Sequence, residues 1–148
     1  MTTAFQTQEA TIRKVLTESK TIALVGASHK PERPSHYVMQ YLLAKGYNVI
    51  PVNPGLEGKE LLGQQVYGSL LAIPEPIDMV DIFRSPDAVP AIVDEAISIG
   101  AKSIWMQMGV INDKAAQNAS FAGLDVVMDR CPKVEIPRLG LDGPLSEL

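Results

Sequence analysis

Five short apolar runs recur along this chain. Each closes in a turn of small or polar residues, and the stretches between them carry helical periods. They are "TIALVGA" at 21–27, "YNVIPVNP" at 47–54, "IDMVDIFR" at 77–84, "AKSIWMQMG" at 101–109 and "LDVVMDRC" at 124–131. An uninterrupted, β-branched apolar run suits a strand buried on both faces, which is the habit of a parallel sheet. Strand, helix, strand at this spacing makes βαβ units with right-handed crossovers. The expected fold is a single doubly wound, Rossmann-like α/β domain over residues 1–148, with its core at about 12–138 and a five-stranded parallel sheet.

The helices are read from period and punctuation. Ile12, Val15 and Leu16 share one face of a helix over 7–18. Val38, Tyr41 and Leu42 do so over 35–45, where Gly46 is placed to end the helix. Ser85-Pro86-Asp87 gives an N-cap, a first-position proline and an acid in the first turn. The helix behind it sets Val89, Ile92, Val93, Ala96 and Ile97 inward and stops at Gly100. Asn112 and Asp113 open another helix, which ends by Gly123. Residues 55–76 are rich in Gly and Pro and read as a long connection with at most one helical turn, near "SLLAIP". Prolines in the stretch after Cys131 predict an irregular tail.

Charge and cysteine content exclude some partners. Seventeen acidic against thirteen basic residues give a net charge of −4, which is not the footprint of a nucleic-acid binder. It leaves room for a local basic pocket. The single cysteine, Cys131, cannot form an internal disulfide, which fits a reducing compartment. No 18-residue apolar stretch calls for a membrane, and the first residues lack the pattern of a secretory signal. A cytoplasmic protein without nucleic-acid or membrane partners is expected.

In doubly wound sheets, ligands sit beyond the carboxyl ends of the strands, so the strand-end residues are the candidates. Gly26 and Ala27 offer little side chain, so a ligand can approach their backbone, and their N–H groups together with the next helix start make an anion site. Ser28 adds a hydroxyl, Lys30 a counter-charge, and Ser35 either a helix cap or a phosphate contact. The turn lacks the second and third glycines of a dinucleotide fingerprint. The second strand ends in Asn53-Pro54, where an NAD site would carry a carboxylate for the ribose. A phosphorylated ribose would instead call for a cation, and Lys59 and Arg84 are available, although Lys59 alone reads equally well as a solvated surface charge. Gln107, followed by Gly109, can turn a polar side chain to the cleft. Cys131 alone reads as a small buried hydrophobe, and His29 and His36 as surface loop residues.

The ordered set "LVGAS", "VIPVNP", "YGSL..IP..ID.VDIFR", "WMQMGV" and "MDRCP" resembles the stand-alone CoA-binding domain family. This is the small-protein branch related to the N-terminal domain of the succinyl-CoA synthetase α subunit. The resemblance covers roughly residues 12–138. It implies that Gly26, Ala27 and Ser28 line the diphosphate of coenzyme A. Asn53 and Pro54 would lie near its adenosine, with Lys59 toward the 3′-phosphate. Phe83, Arg84 and Ser85 would wall the adenine or ribose side, and Gln107, Met108 and Gly109 would face the pantetheine arm. Cys131 and Pro132 match an Asn-Cys-Pro element of the synthetases, near the thiol end. The segment "PGLEGK" is longer than the Pro-Gly-Lys of the synthetases, so Lys59 transfers least directly.

The implied function is binding of CoA or an acyl-CoA, without evident catalytic machinery. The synthetases carry their phosphorylated histidine in a second domain that this sequence does not include. Three alternatives remain open: an NAD(P)-dependent enzyme, a CoA-binding subunit of an acyl-CoA synthetase completed by another chain, and an interaction scaffold with a vestigial pocket.

Overall fold

The computed structural model describes residues 4–145. Its five-stranded parallel sheet consists of β1 (Thr21–Val25), β2 (Asn48–Val52), β5 (Met79–Ile82), β6 (Ser103–Met106) and β7 (Asp125–Val127). The order is β2-β1-β5-β6-β7, so the chain winds outward from β1 in both directions. The register places Ile22 beside Val49 and Met79, and Leu24 beside Pro51 and Asp81. Pro51 sits inside β2, an edge strand of this sheet, where a missing N–H can be tolerated.

Helices cover both faces. One layer holds α1 (Glu9–Glu18), α2 (Pro34–Ala44) and α5 (Pro132–Arg138). Ile12, Leu16, Met39, Leu42 and Ile136 pack there against Ile22, Leu24, Met79, Trp105 and Val127. The other layer holds α3 (Val89–Ser98) and α4 (Asp113–Phe121), which seal Ala23, Val80, Ile82, Ile104 and Met106. Successive strand residues therefore enter opposite cores, and both must be apolar. That is why the strands read as continuous runs.

Asp81 breaks the rule. It is fully buried in the middle of β5, level with Leu24 and Trp105, and neither carboxylate oxygen has a hydrogen-bond partner among the described residues. Burial raises its pKa well above the ordinary carboxylate value.

Several sequence expectations are corrected. Pro132–Arg138 is a helix, not an irregular tail. Pro132 occupies its first turn, where an N–H is not needed, and the interior Pro137 lies close to the helix end. Residues 55–76 hold, besides 3₁₀ turns at Pro54–Leu56 and Leu70–Ala72, a small antiparallel hairpin of β3 (Glu60–Leu61) and β4 (Gln64–Gln65). Two-residue strands leave no periodic trace. Ser85 precedes a 3₁₀ turn at Pro86–Ala88 without a side-chain cap, and Ile97 is partly exposed. Asn112 does cap α4, accepting from the Ala115 N–H at 3.0 Å.

Candidate functional site

A cleft of about 980 Å³ opens along the carboxyl edge of the sheet. It runs from Asn53 and Leu56 beyond β2, past the β1–α2 loop and Phe83-Arg84, to Gln107-Met108 and Cys131 at the β6–β7 side. Twelve of the sixteen predicted residues line it. They are Gly26, Ala27, Ser28, Lys30, Ser35, Asn53, Pro54, Phe83, Arg84, Gln107, Met108 and Cys131. Lys59, Ser85, Gly109 and Pro132 do not.

The β1–α2 corner owes its shape to Gly26, but for a different reason than the one expected. Its φ is +93°, and a Cβ there would lie 2.3 Å from the Phe83 carbonyl oxygen. The glycine lets the ends of β1 and β5 come together, more than it lets a ligand reach the backbone. The N–H groups of Gly26 and Ala27 both donate to the Val52 carbonyl, at 3.0 and 3.2 Å. They are therefore not the anion donors that the sequence suggested.

What remains for an anion here is the start of α2, which has no side-chain cap, together with the Ser28 hydroxyl and nearby cations. Ser28 Oγ accepts from the Lys30 N–H at 3.1 Å, which leaves its proton free to donate. Ser35 lies inside α2 and is buried, and the residue at the cap position is Arg33. Arg33 lines the cleft and was missed from the sequence. Its signal was a basic residue directly before the first-position proline of a helix, in "KPERPS". Among the described residues, neither Lys30, Arg33 nor Arg84 pairs with a carboxylate.

Asn53 and His36 hold the corner in place. Asn53 Nδ2 donates to the Ala27 carbonyl at 2.7 Å, while its Oδ1 accepts from the Gly55 N–H at 2.8 Å. An Asp in the same pose could not donate to Ala27, which gives the amide a local reason. His36 is buried, not a surface residue, and its Nδ1 lies 2.9 Å from the Ser28 carbonyl.

At the other end the polar groups are few and buried. Gln107 is 6% exposed, and its Oε1 has no hydrogen-bond partner among the described residues. Cys131 is a free thiol, 7% exposed, at the start of α5. Met108 and Tyr37 are exposed apolar surfaces along the cleft. Gly109, with φ +83°, donates its N–H to Asp129 Oδ1 at 2.8 Å and ties the β6 end to the β7 end. Pro132 is buried in α5. Ser85 is exposed beyond β5, and Lys59 lies beside the β3–β4 hairpin with Glu60 and Gln65. Lys59 precedes that hairpin directly and does not line the cleft.

Residues 20–137 match the CoA binding domain family model. The chain is 40% identical to the uncharacterized protein YneT of Bacillus subtilis over 126 residues, which is 85% of this chain and 92% of that protein. A solved structure of a hypothetical protein from Pyrococcus horikoshii superposes with a TM-score of 0.85. It has 44% identity and covers 93% of this chain and 99% of that one. The chain is also 33% identical to the α subunit of ADP-forming acetate–CoA ligase I of Pyrococcus furiosus. That match takes in 62% of this chain but only 21% of the ligase subunit. The chain belongs to the CoA-binding domain family.

Proposed function

We propose that this family member binds coenzyme A, free or acylated, in the cleft at the carboxyl edge of its sheet. The observation that carries the reading is the polarity of that cleft. One part gathers three cations that have no carboxylate partner among the described residues, and an uncapped helix start, and the other offers an apolar wall, one buried acceptor and a thiol. CoA has the same layout, with phosphates at one end and an amide-bearing thiol arm at the other.

In this reading the start of α2, Ser28 and Lys30 meet the diphosphate, and Arg33 with Arg84 faces the phosphorylated ribose. Arg33 takes the role that the sequence gave to Lys59. Asn53 acts by shaping the corner, and an acid in its place would lose the bond to Ala27 as well as repel a phosphate. Gln107 and Met108 border the pantetheine arm. A cytoplasmic setting belongs to the proposal and is supported by the lone free thiol. Ligase chemistry does not belong to it, because the matched region spans only 21% of the ligase subunit.

Calorimetric titration with CoA, dephospho-CoA and NAD tests the reading. CoA should bind, with dephospho-CoA weaker by about tenfold, equivalent to about 1.4 kcal/mol for the lost phosphate contacts. NAD binding more tightly than CoA, or no binding of any of the three to the folded chain, would overturn it.

A further inference from the structure

Cys131 and Gln107 both line the β6–β7 side of the cleft. Gln107 follows Met106 on the strand and so continues the face of Ser103 and Trp105. It lines the cleft, and it is more than nine-tenths buried with its Oε1 unpartnered. A buried acceptor without a donor is costly to keep unless something outside the fold completes it. Cys131 carries the one thiol of the chain, is unpaired, and lines the same space. An amide-bearing thiol entering from the cationic end would bring an N–H to one group and a sulfur to the other.

We infer that this end of the cleft is a thiol–disulfide exchange site, where Cys131 forms a mixed disulfide with CoA while Gln107 Oε1 accepts from an amide N–H of the pantetheine arm. The inference rests on the CoA reading above. The reactant is CoA disulfide. The Cys131 thiolate attacks one of its sulfurs, the CoA–CoA bond breaks, and the Cys131–CoA bond forms. The second CoA leaves as a thiolate and takes up the proton that Cys131 lost. One disulfide is exchanged for another, so no further oxidant enters. A free CoA thiol attacking the mixed disulfide reverses the step. The fraction of chain labelled then follows the ratio of CoA disulfide to CoA, and a labelled cleft is closed to free CoA.

The test is intact-mass measurement of the full chain after incubation with CoA disulfide, beside the same reaction with glutathione disulfide. The expected result is a gain of one CoA less two hydrogens, removed by reductant and absent in Cys131→Ser. Labelling by glutathione disulfide should be at least about tenfold slower, because it lacks the anchoring contacts. Gln107→Leu should slow labelling by CoA disulfide but not by glutathione disulfide. Calorimetry with free CoA on Cys131→Ser separates the two readings. If free CoA binds but CoA disulfide leaves no adduct, the exchange site is wrong and the CoA site stands. If the folded chain shows neither binding nor adduct, both fall. Equal labelling rates with the two disulfides would mean a merely accessible thiol and would also end the inference.

Discussion

The two ends of the same sheet treat polar groups in opposite ways. At the amino edge they are paired within the fold. Asp78 Oδ2 accepts the N–H groups of Lys20 and Thr21, each at 2.9 Å, and Oδ1 lies 3.4 Å from Lys102 Nζ. Lys14 and Asp125 form an ion pair at 3.0 Å nearby. At the carboxyl edge Lys30, Arg33 and Arg84 have no carboxylate partner among the described residues, and Gln107 Oε1 is buried without a donor. The Gly26 and Ala27 N–H groups are consumed, and in the uncapped first turn of α2, where Pro34 has no N–H and His36 and Tyr37 donate to the Arg33 carbonyl, the Ser35 N–H is left. A self-satisfied end stabilises the fold. An end with unmet polar groups keeps binding capacity for something that the chain does not supply.

The sharpest way to break the contrast is Gly26→Ala. A Cβ there meets the Phe83 carbonyl, and φ +93° is strained for any side chain. The expected cost is about 3 kcal/mol or more in chemical denaturation, with ligand binding lost alongside. A loss below about 1 kcal/mol would show that the strand ends can relax apart.

Asp78→Ala probes the paired end. It leaves two backbone donors and Lys102 without their acceptor, so about 2–3 kcal/mol of stability should go. Affinity of the folded chain for CoA should not change. Burial pushes the Asp78 carboxyl up, but the Thr21 and Lys20 N–H groups and the Lys102 ammonium outweigh it and hold the pKa below the usual value. A depressed folded pKa gives stability that is present above the unfolded value and is lost as pH falls through the folded one. Denaturation followed from neutral pH downward should show wild type losing this advantage over the variant in acid.

Asp81 has the opposite sign. Its folded pKa is raised by burial, so on raising the pH the unfolded chain ionises first. Wild type should lose stability relative to Asp81→Asn by about 1.4 kcal/mol per pH unit, starting near the ordinary carboxylate pKa. The loss should level off once the folded carboxyl ionises as well. A difference that stays flat from acid to neutral pH would show that the carboxyl finds a partner.

The smallest effects separate two cations. Arg33→Ala should weaken CoA binding by about three- to tenfold. Lys59→Ala should leave it within about twofold, because Lys59 does not line the cleft. The reverse ranking in calorimetry would restore the assignment drawn from the sequence.

How far the sequence could be read follows from the same contrast. The five strands were legible because burial on both faces forces continuous apolar runs, and the strand-end rule then pointed to the edge along which the cleft opens. Much of the rest depends on single contacts. That Gly26 is needed for Phe83, and not for a ligand, depends on how close two strands come. The hairpin that follows Lys59 has strands too short to show a period. The last helix was hidden by its prolines, one of which sits where helices accept them. Arg33 looked like loop because its place in the cleft comes from its position at the start of α2.

The most direct test of the central claim is a backbone amide NMR titration of the full chain with CoA. Shifts should concentrate at Ser28, Arg33, Ser35, Arg84 and Gln107, with Lys20, Thr21, Asp78 and Lys102 unmoved. Shifts centred on the Asp78 end, or spread evenly over both ends, would contradict it.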